Sequence, residues 1–319
     1  MTEYLENIEN TARAMNAMNA QLRVGLVGTD ELARLVTDSY FAGQHLLVEG
    51  VPGVGKTETA KKMPYIIGGM VLGRMQGTPD KQPADIIGFE FYNMKTGEFE
   101  PRTGSINSDV VVADELNMLS PKAQSAFLEA LTERTLTIGN NQIDLPEDFW
   151  VVATQNPAGQ GEGRSGIIKP LLDRFGASIY IGSPSLEDRI AVGRAKATGQ
   201  HTAKPQLIIP DVKKMQLYKK IINGIPFEDK AIVRIATVLD TLSKNSKVTM
   251  KADGHRSMIA AIDVARSAAV REGKAQVTAA DVVNILPYIV LHRMEVDADP
   301  SVQQAEKQEL VADTIKKVA

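Results

Sequence analysis

The chain of 319 residues has a formal net charge of -3, which gives no global attraction to nucleic acid or acidic membranes, and no cysteine, which excludes disulfides and thiolate metal sites. Its length and 43% hydrophobic content fit about two globular domains. An acidic N-terminal stretch, and no run near the roughly 18 apolar residues of a membrane span, lead us to expect a cytoplasmic protein without membrane insertion.

In chain order, Leu5, Ile8, Ala12, Met15, Met18 and Leu22 recur at three- and four-residue steps, which predicts a packing helix over residues 2–22. A second helix begins near Glu31, capped by Thr29 or Asp30. Residues 45–49 read as a buried strand, and four further apolar runs follow at 70–75, 110–113, 150–154 and 177–181. Continuous apolar strands alternating with helices predict an α/β fold, a five-stranded parallel sheet with helices on both faces. Residues 86–104 and 135–145 interrupt the alternation and read as hairpins around Lys95-Thr96-Gly97 and Gly139-Asn140-Asn141. After Gly182-Ser183-Pro184 the pattern is helical. Ser185 and Thr278 each open a capping box, and Pro287 is expected to kink or shorten the last of three helices near 227–244, 255–272 and 278–294. The expected division is an N-terminal helical segment (1–22), an α/β core (23–182), a connecting helix and linker (183–211), and a small all-α C-terminal domain (212–319).

The chemistry gathers at the ends of strands. Gly50-Val51-Pro52-Gly53-Val54-Gly55-Lys56-Thr57 fits G-x-x-x-x-G-K-[ST] between the first strand and a helix opening at Glu58. Its glycines let backbone N–H groups surround a phosphate, and the helix N-terminus adds a favourable dipole. We expect residues 50–58 to bind a nucleoside triphosphate, with Lys56 reaching the β- and γ-phosphates and Thr57 on Mg²⁺. The third strand ends in Asp114-Glu115. Beside a phosphate loop, Asp114 is the second expected Mg²⁺ ligand, and Glu115 the base that orients and deprotonates water. Asn156, after the fourth strand, is either a γ-phosphate or water contact or a turn residue before Pro157. Arg174 and Arg256 could each stabilise transferred charge, or be ordinary surface ion-pair residues. The four histidines show no metal-ligand spacing.

Over residues 25–294 the sequence resembles a MoxR-type AAA+ ATPase of the helix-2-insert clade. The resemblance is carried by the phosphate loop, by Arg74-Met75-Gln76-Gly77-Thr78-Pro79-Asp80 and Pro83-Ala84-Asp85-Ile86-Ile87-Gly88, and by Ala113-Asp114-Glu115-Leu116-Asn117. It continues through Gln124-Ser125-Ala126-Phe127-Leu128-Glu129-Ala130, Ala153-Thr154-Gln155-Asn156-Pro157 and Leu172-Asp173-Arg174-Phe175. It implies that Asn156 is sensor 1, Arg174 the arginine finger and Arg256 sensor 2, with the helical C-terminal domain as the lid. It turns the hairpins into the helix-2 insert and the pre-sensor hairpin, which tend to face a ring's pore. It further implies a homo-oligomeric ring, hexameric by family habit, that uses ATP and Mg²⁺ to remodel or mature a protein client. That client is expected to be a protein with a von Willebrand factor A-type domain or a metal-dependent enzyme. Two positions depart from the family pattern: Met118 replaces an arginine, and Gly254-His255-Arg256 replaces Ser-Pro-Arg. The rival readings are a nucleic-acid motor, disfavoured by the near-neutral charge, and an assembly module without turnover, disfavoured by Glu115. Arg174 precedes strand five, which the usual strand order sets on the far side of the sheet from the phosphate loop, so we expect it to act in trans.

Overall fold

The five apolar runs become strands because they are short and bounded by turns, and the three inner ones are buried on both faces. The computed structural model describes residues 2–156, 166–250, 254–298 and 302–318. Helices α1 (Thr2–Arg23) and α2 (Asp30–Phe41) precede β1 (Leu46–Gly50), which runs through the phosphate loop into α3 (Lys56–Ala60). Then come α4 (Met63–Ile66), β2 (Leu72–Gln76), α5 (Pro83–Ile87) and a hairpin of β3 (Gly88–Asn93) and β4 (Glu98–Thr103). β5 (Val110–Asp114), α6 (Pro121–Glu133) and a second hairpin of β6 (Thr135–Ile138) and β7 (Asn141–Asp144) follow. β8 (Trp150–Gln155), α7 (Lys169–Leu172) and β9 (Ala177–Ile181) complete the sheet region. The C-terminal part comprises α8 (Leu186–Ala197), α9 (Val212–Asn223), α10 (Asp229–Ser243), α11 (His255–Arg271), α12 (Ala279–Val290) and α13 (Gln303–Val318). A small ribbon of β10 (Val248–Met250) and β11 (Met294–Val296) is set among them.

The five strands are parallel in the order β2-β5-β8-β1-β9. Successive side chains point to opposite faces. Val110, Val112, Trp150 and Val152 therefore join one core with α1, α2 and the C-terminal helices. Val111, Ala113, Val151 and Ala153 join a second core with Phe127 of α6. In α1 the helical period holds from Ile8 to Leu22, whereas Leu5 is 45% exposed. The helix after the phosphate loop is shorter than expected, because a turn precedes Pro64 and a new helix starts there. Pro287 lies within α12, which runs on to Val290 before tightening into a 3₁₀ turn.

The C-terminal helices are fastened to the sheet by buried polar contacts. Arg293, fully buried, donates from Nη2 to the carbonyl of Phe175 at 2.7 Å and from Nη1 to that of Ile289. Burial, only partly offset by Asp173, pulls its pKa down to about 10. Arg271 of α11 pairs with the buried Asp38 of α2 at 2.7 Å. Burial holds His45 neutral, with its pKa down at about 3, and its Nδ1 accepts the Val151 N–H at 3.1 Å.

Candidate functional site

The carboxyl ends of β1, β5 and β8 open into a cavity of about 860 Å³, lined by the phosphate loop, Asp114, Glu115 and Asn156. Its far wall is the segment 25–29 together with α8 and His201. This edge is where parallel sheets bind ligands. Gly53 and Gly55 hold φ of +83° and +82°, a left-handed conformation that side chains strain against. Among the described residues their N–H groups make no protein hydrogen bond, which leaves donors free for a phosphate.

The polar groups form one connected set. Lys56, 8% exposed, donates to the Gly50 carbonyl and, at 2.7 Å, to Asn156 Oδ1. Asp114 Oδ1 accepts from the hydroxyls of Thr57 at 3.1 Å and Thr154 at 2.6 Å. Thr57 and Asp114 thus present hard oxygen ligands side by side, a donor set that suits Mg²⁺. Glu115 Oε1 accepts from Asn156 Nδ2 at 2.9 Å, and Gln76 Nε2 reaches the other oxygen at 3.5 Å. The Glu115 backbone is left-handed, with φ 52° and ψ 48°. That strain, in a non-glycine residue, is held by its N–H donating to Thr154 Oγ1 at 3.0 Å.

The cleft therefore brings together Lys56, Thr57, Asp114, Glu115 and Asn156, but not Arg174 or Arg256, neither of which lines it. Those two lie together elsewhere. Arg256 Nη1 pairs with Asp173 Oδ2 at 2.6 Å, with the Arg256 side chain 49% exposed. Arg174 follows Asp173 directly, and partial burial and the neighbouring Arg256 charge hold its pKa below the usual arginine range.

The expected lateral separation of Arg174 from the phosphate loop is corrected by the sheet. β9 lies beside β1, with Ala177 paired to Leu46 and Ile181 to Gly50. The separation runs along the strands instead: Arg174 stands before β9 at the amino edge, and the phosphate loop leaves β1 at the carboxyl edge, about 16 Å away. Pro157, on which the turn reading of Asn156 leaned, lies outside the described residues. Sequence reasoning missed Thr154, Gln76 and Arg293. A signal existed for the first two, which sit at strand ends beside Asp114.

The fold and cleft define a nucleotide-binding ATPase with a helical lid, and comparison with known proteins agrees. Residues 45–177 match the ATPase family associated with various cellular activities (AAA), and residues 242–314 match the AAA lid domain. The chain is 32% identical to Chaperone MoxR1 of Mycobacterium tuberculosis over 283 residues, 86% of this chain and 74% of that protein. It is 30% identical to the uncharacterised protein YeaC of Bacillus subtilis over 295 residues, 92% of this chain and 90% of that protein. A crystal structure of a candidate ATPase from Cytophaga hutchinsonii superposes with a TM-score of 0.84 at 25% identity, covering 98% of this chain and 96% of that one. The chain belongs to the MoxR family of AAA ATPases.

Proposed function

We infer that this protein is a Mg²⁺-dependent ATP hydrolase that works as a ring, six-membered in our reading, to remodel or mature a protein client. The observation that carries the reading is the division of the site: acids, lysine and sensor stand at one edge of the sheet, and at the other stand Arg256, paired with Asp173, and Arg174, next to Asp173 in sequence. A second copy that docks its amino edge against the cleft completes the charge set. In this reading residues 50–58 and Lys56 bind the triphosphate. Thr57 and Asp114 would hold Mg²⁺, which would supply charge neutralisation at the phosphates. Glu115 takes a proton from water positioned with Asn156 as the water oxygen attacks the γ-phosphorus. The β–γ bridging bond breaks, ADP leaves with the bridging oxygen, and inorganic phosphate is formed. Arg174 and Arg256 of the neighbouring copy stabilise the charge on the transferring group.

For the client, the β3–β4 hairpin carries exposed Tyr92, Met94 and Phe99, of which Met94 is 89% exposed. The Tyr92 and Phe99 rings meet at 5.3 Å, and Glu98 and Glu100 lie beside them. An aromatic ribbon flanked by acids suits a protein client better than a phosphate backbone. A client with a von Willebrand factor A-type domain is part of this proposal, as is work in the cytoplasm. Among the described residues no helix is long and apolar enough to cross a membrane.

Turnover tests the hydrolase reading. Glu115→Gln keeps the shape and removes the proton acceptor, so ATP binding should persist while hydrolysis falls by about 10²-fold or more. Lys56→Ala should instead lose binding. Hydrolysis by Glu115→Gln at the parental rate would remove the assignment.

A further inference from the structure

We propose that Arg74 is a cis contact for the terminal phosphate and sets the preference of the cleft for ATP over ADP; this rests on reading the cleft as an ATP site. Arg74 lines the cavity and is exposed, on the outermost strand β2. Its neighbour Met75 packs into the same core as Val111 and Ala113, so alternation turns Arg74 and Gln76 to the face that carries Val110 and Val112. Asp114 continues that face of β5 and meets Thr57 there. Register sets Gln76 beside Asp114 and Arg74 beside Val112. Strand spacing and rise then put the Cα atoms of Arg74 and Asp114 about 8 Å apart, a gap an arginine side chain spans.

The cations of the cleft differ in how they are held. Lys56 is bonded to Gly50 and Asn156, Lys61 pairs with Glu58 Oε1 at 2.5 Å, and Lys196 Nζ faces His201 Nε2 at 3.1 Å. Arg74 makes no hydrogen bond or ion pair with any described residue. It is a cation without a partner in a cleft read as holding a polyanion.

Strand order says which phosphate it meets. Counting from the phosphate loop on β1, the strands run β8, β5, β2. The loop and its helix N-terminus cradle the inner phosphates. The acids on β5 mark the scissile end. A side chain one strand further out therefore faces the outermost phosphate, which ADP lacks, and its planar fork suits two phosphate oxygens at once.

The test compares ATP and ADP affinities, both with Mg²⁺, for Arg74→Ala and Arg74→Lys in a Glu115→Gln background that does not turn over. Loss of one charge-assisted contact should weaken ATP binding about tenfold or more in Arg74→Ala. ADP affinity should stay within about twofold, which also certifies the fold. Arg74→Lys, a point charge without the fork, should recover only part of the loss. An unchanged ATP/ADP ratio overturns the proposal, as does equal weakening of both nucleotides. So does a loss seen only as impaired assembly, with the ratio intact in free subunits, because Arg74 then serves a neighbouring copy. A parental protein that binds neither nucleotide overturns the ATP-site reading itself, whereas parental binding with an unchanged ratio in Arg74→Ala overturns this inference alone.

Discussion

The two edges of the sheet hold their charges in opposite ways. At the carboxyl edge, Asp114 and Glu115 divide four side-chain donors between them: Thr57, Thr154, Asn156 and Gln76. At the amino edge a single carboxylate, Asp173, stands among three arginines, pairing Arg256 at 2.6 Å and approaching Arg293 at 3.6 Å, with Arg174 next to it in sequence. The first edge gathers acids, and the second gathers positive charge. An enzyme that needed both within one subunit would not separate them by the length of a strand. The contrast supports the proposal that the folded chain carries two halves of a site.

Removing charge from the amino edge should be felt at the carboxyl edge. Arg174→Ala leaves the cleft untouched and should bind ATP like the parent, while turnover falls about 10³-fold, as for arginines that complete phosphoryl-transfer sites. Steady-state hydrolysis and equilibrium nucleotide binding check the two halves of that statement. Full turnover would show that the second edge is not part of the site.

Arg293 anchors the backbone on which Arg174 stands. Arg293→Met keeps the volume but deprives the carbonyls of Phe175 and Ile289 of their donor, and Asp173 of a nearby charge. Breaking such a buried network should cost about 3 kcal/mol in denaturant unfolding. Turnover should fall with it while ATP affinity is kept. A variant that loses stability but hydrolyses normally would separate the anchor from the site.

The smallest effect expected is the acid sensitivity of the amino edge. His45 sits at the start of β1, and its carbonyl accepts the N–H groups of Gly176 and Ala177. Its pKa is lowered to about 3 by burial, with the nearby Arg134 charge adding to the effect. Between pH 6.5 and 3 the unfolded chain binds a proton that the folded chain does not, so stability rises with pH through that window and is lost as pH falls. From pH 7 to pH 5 the loss from this group is about 2 kcal/mol. His45→Gln, which keeps an acceptor near Val151 N–H, should flatten the slope of stability against pH in that window. An unchanged slope would mean another group governs acid stability.

Much of the fold was legible because it is written in short contiguous patterns. The phosphate loop, the apolar strands and the acids at the end of β5 each announce themselves within ten residues, and the strands fall within two residues of their expected bounds. What could not be read depends on distant pairings. The position of β9 beside β1 follows from how helices cover the sheet and not from any local signal, so Arg174 was expected across the sheet rather than along it. Asp173 and Arg256 meet only after α11 packs. Arg293, in an unremarkable His-Arg pair after α12, shows its importance only through complete burial. Thr154 was hidden by its role as the last apolar-looking residue of a strand, although one step across the sheet it meets Asp114.

The claim that two copies make one site is tested most directly by mixing Lys56→Ala with Arg174→Ala. The first has intact arginines beside an empty cleft, and the second a filled cleft beside a missing arginine. Each alone should be inactive. In mixed rings, some interfaces pair a good cleft with a good Arg174, and ATP hydrolysis should reappear, rising and falling with the mixing ratio. No recovery at any ratio, with mixed rings shown to form, would contradict the account.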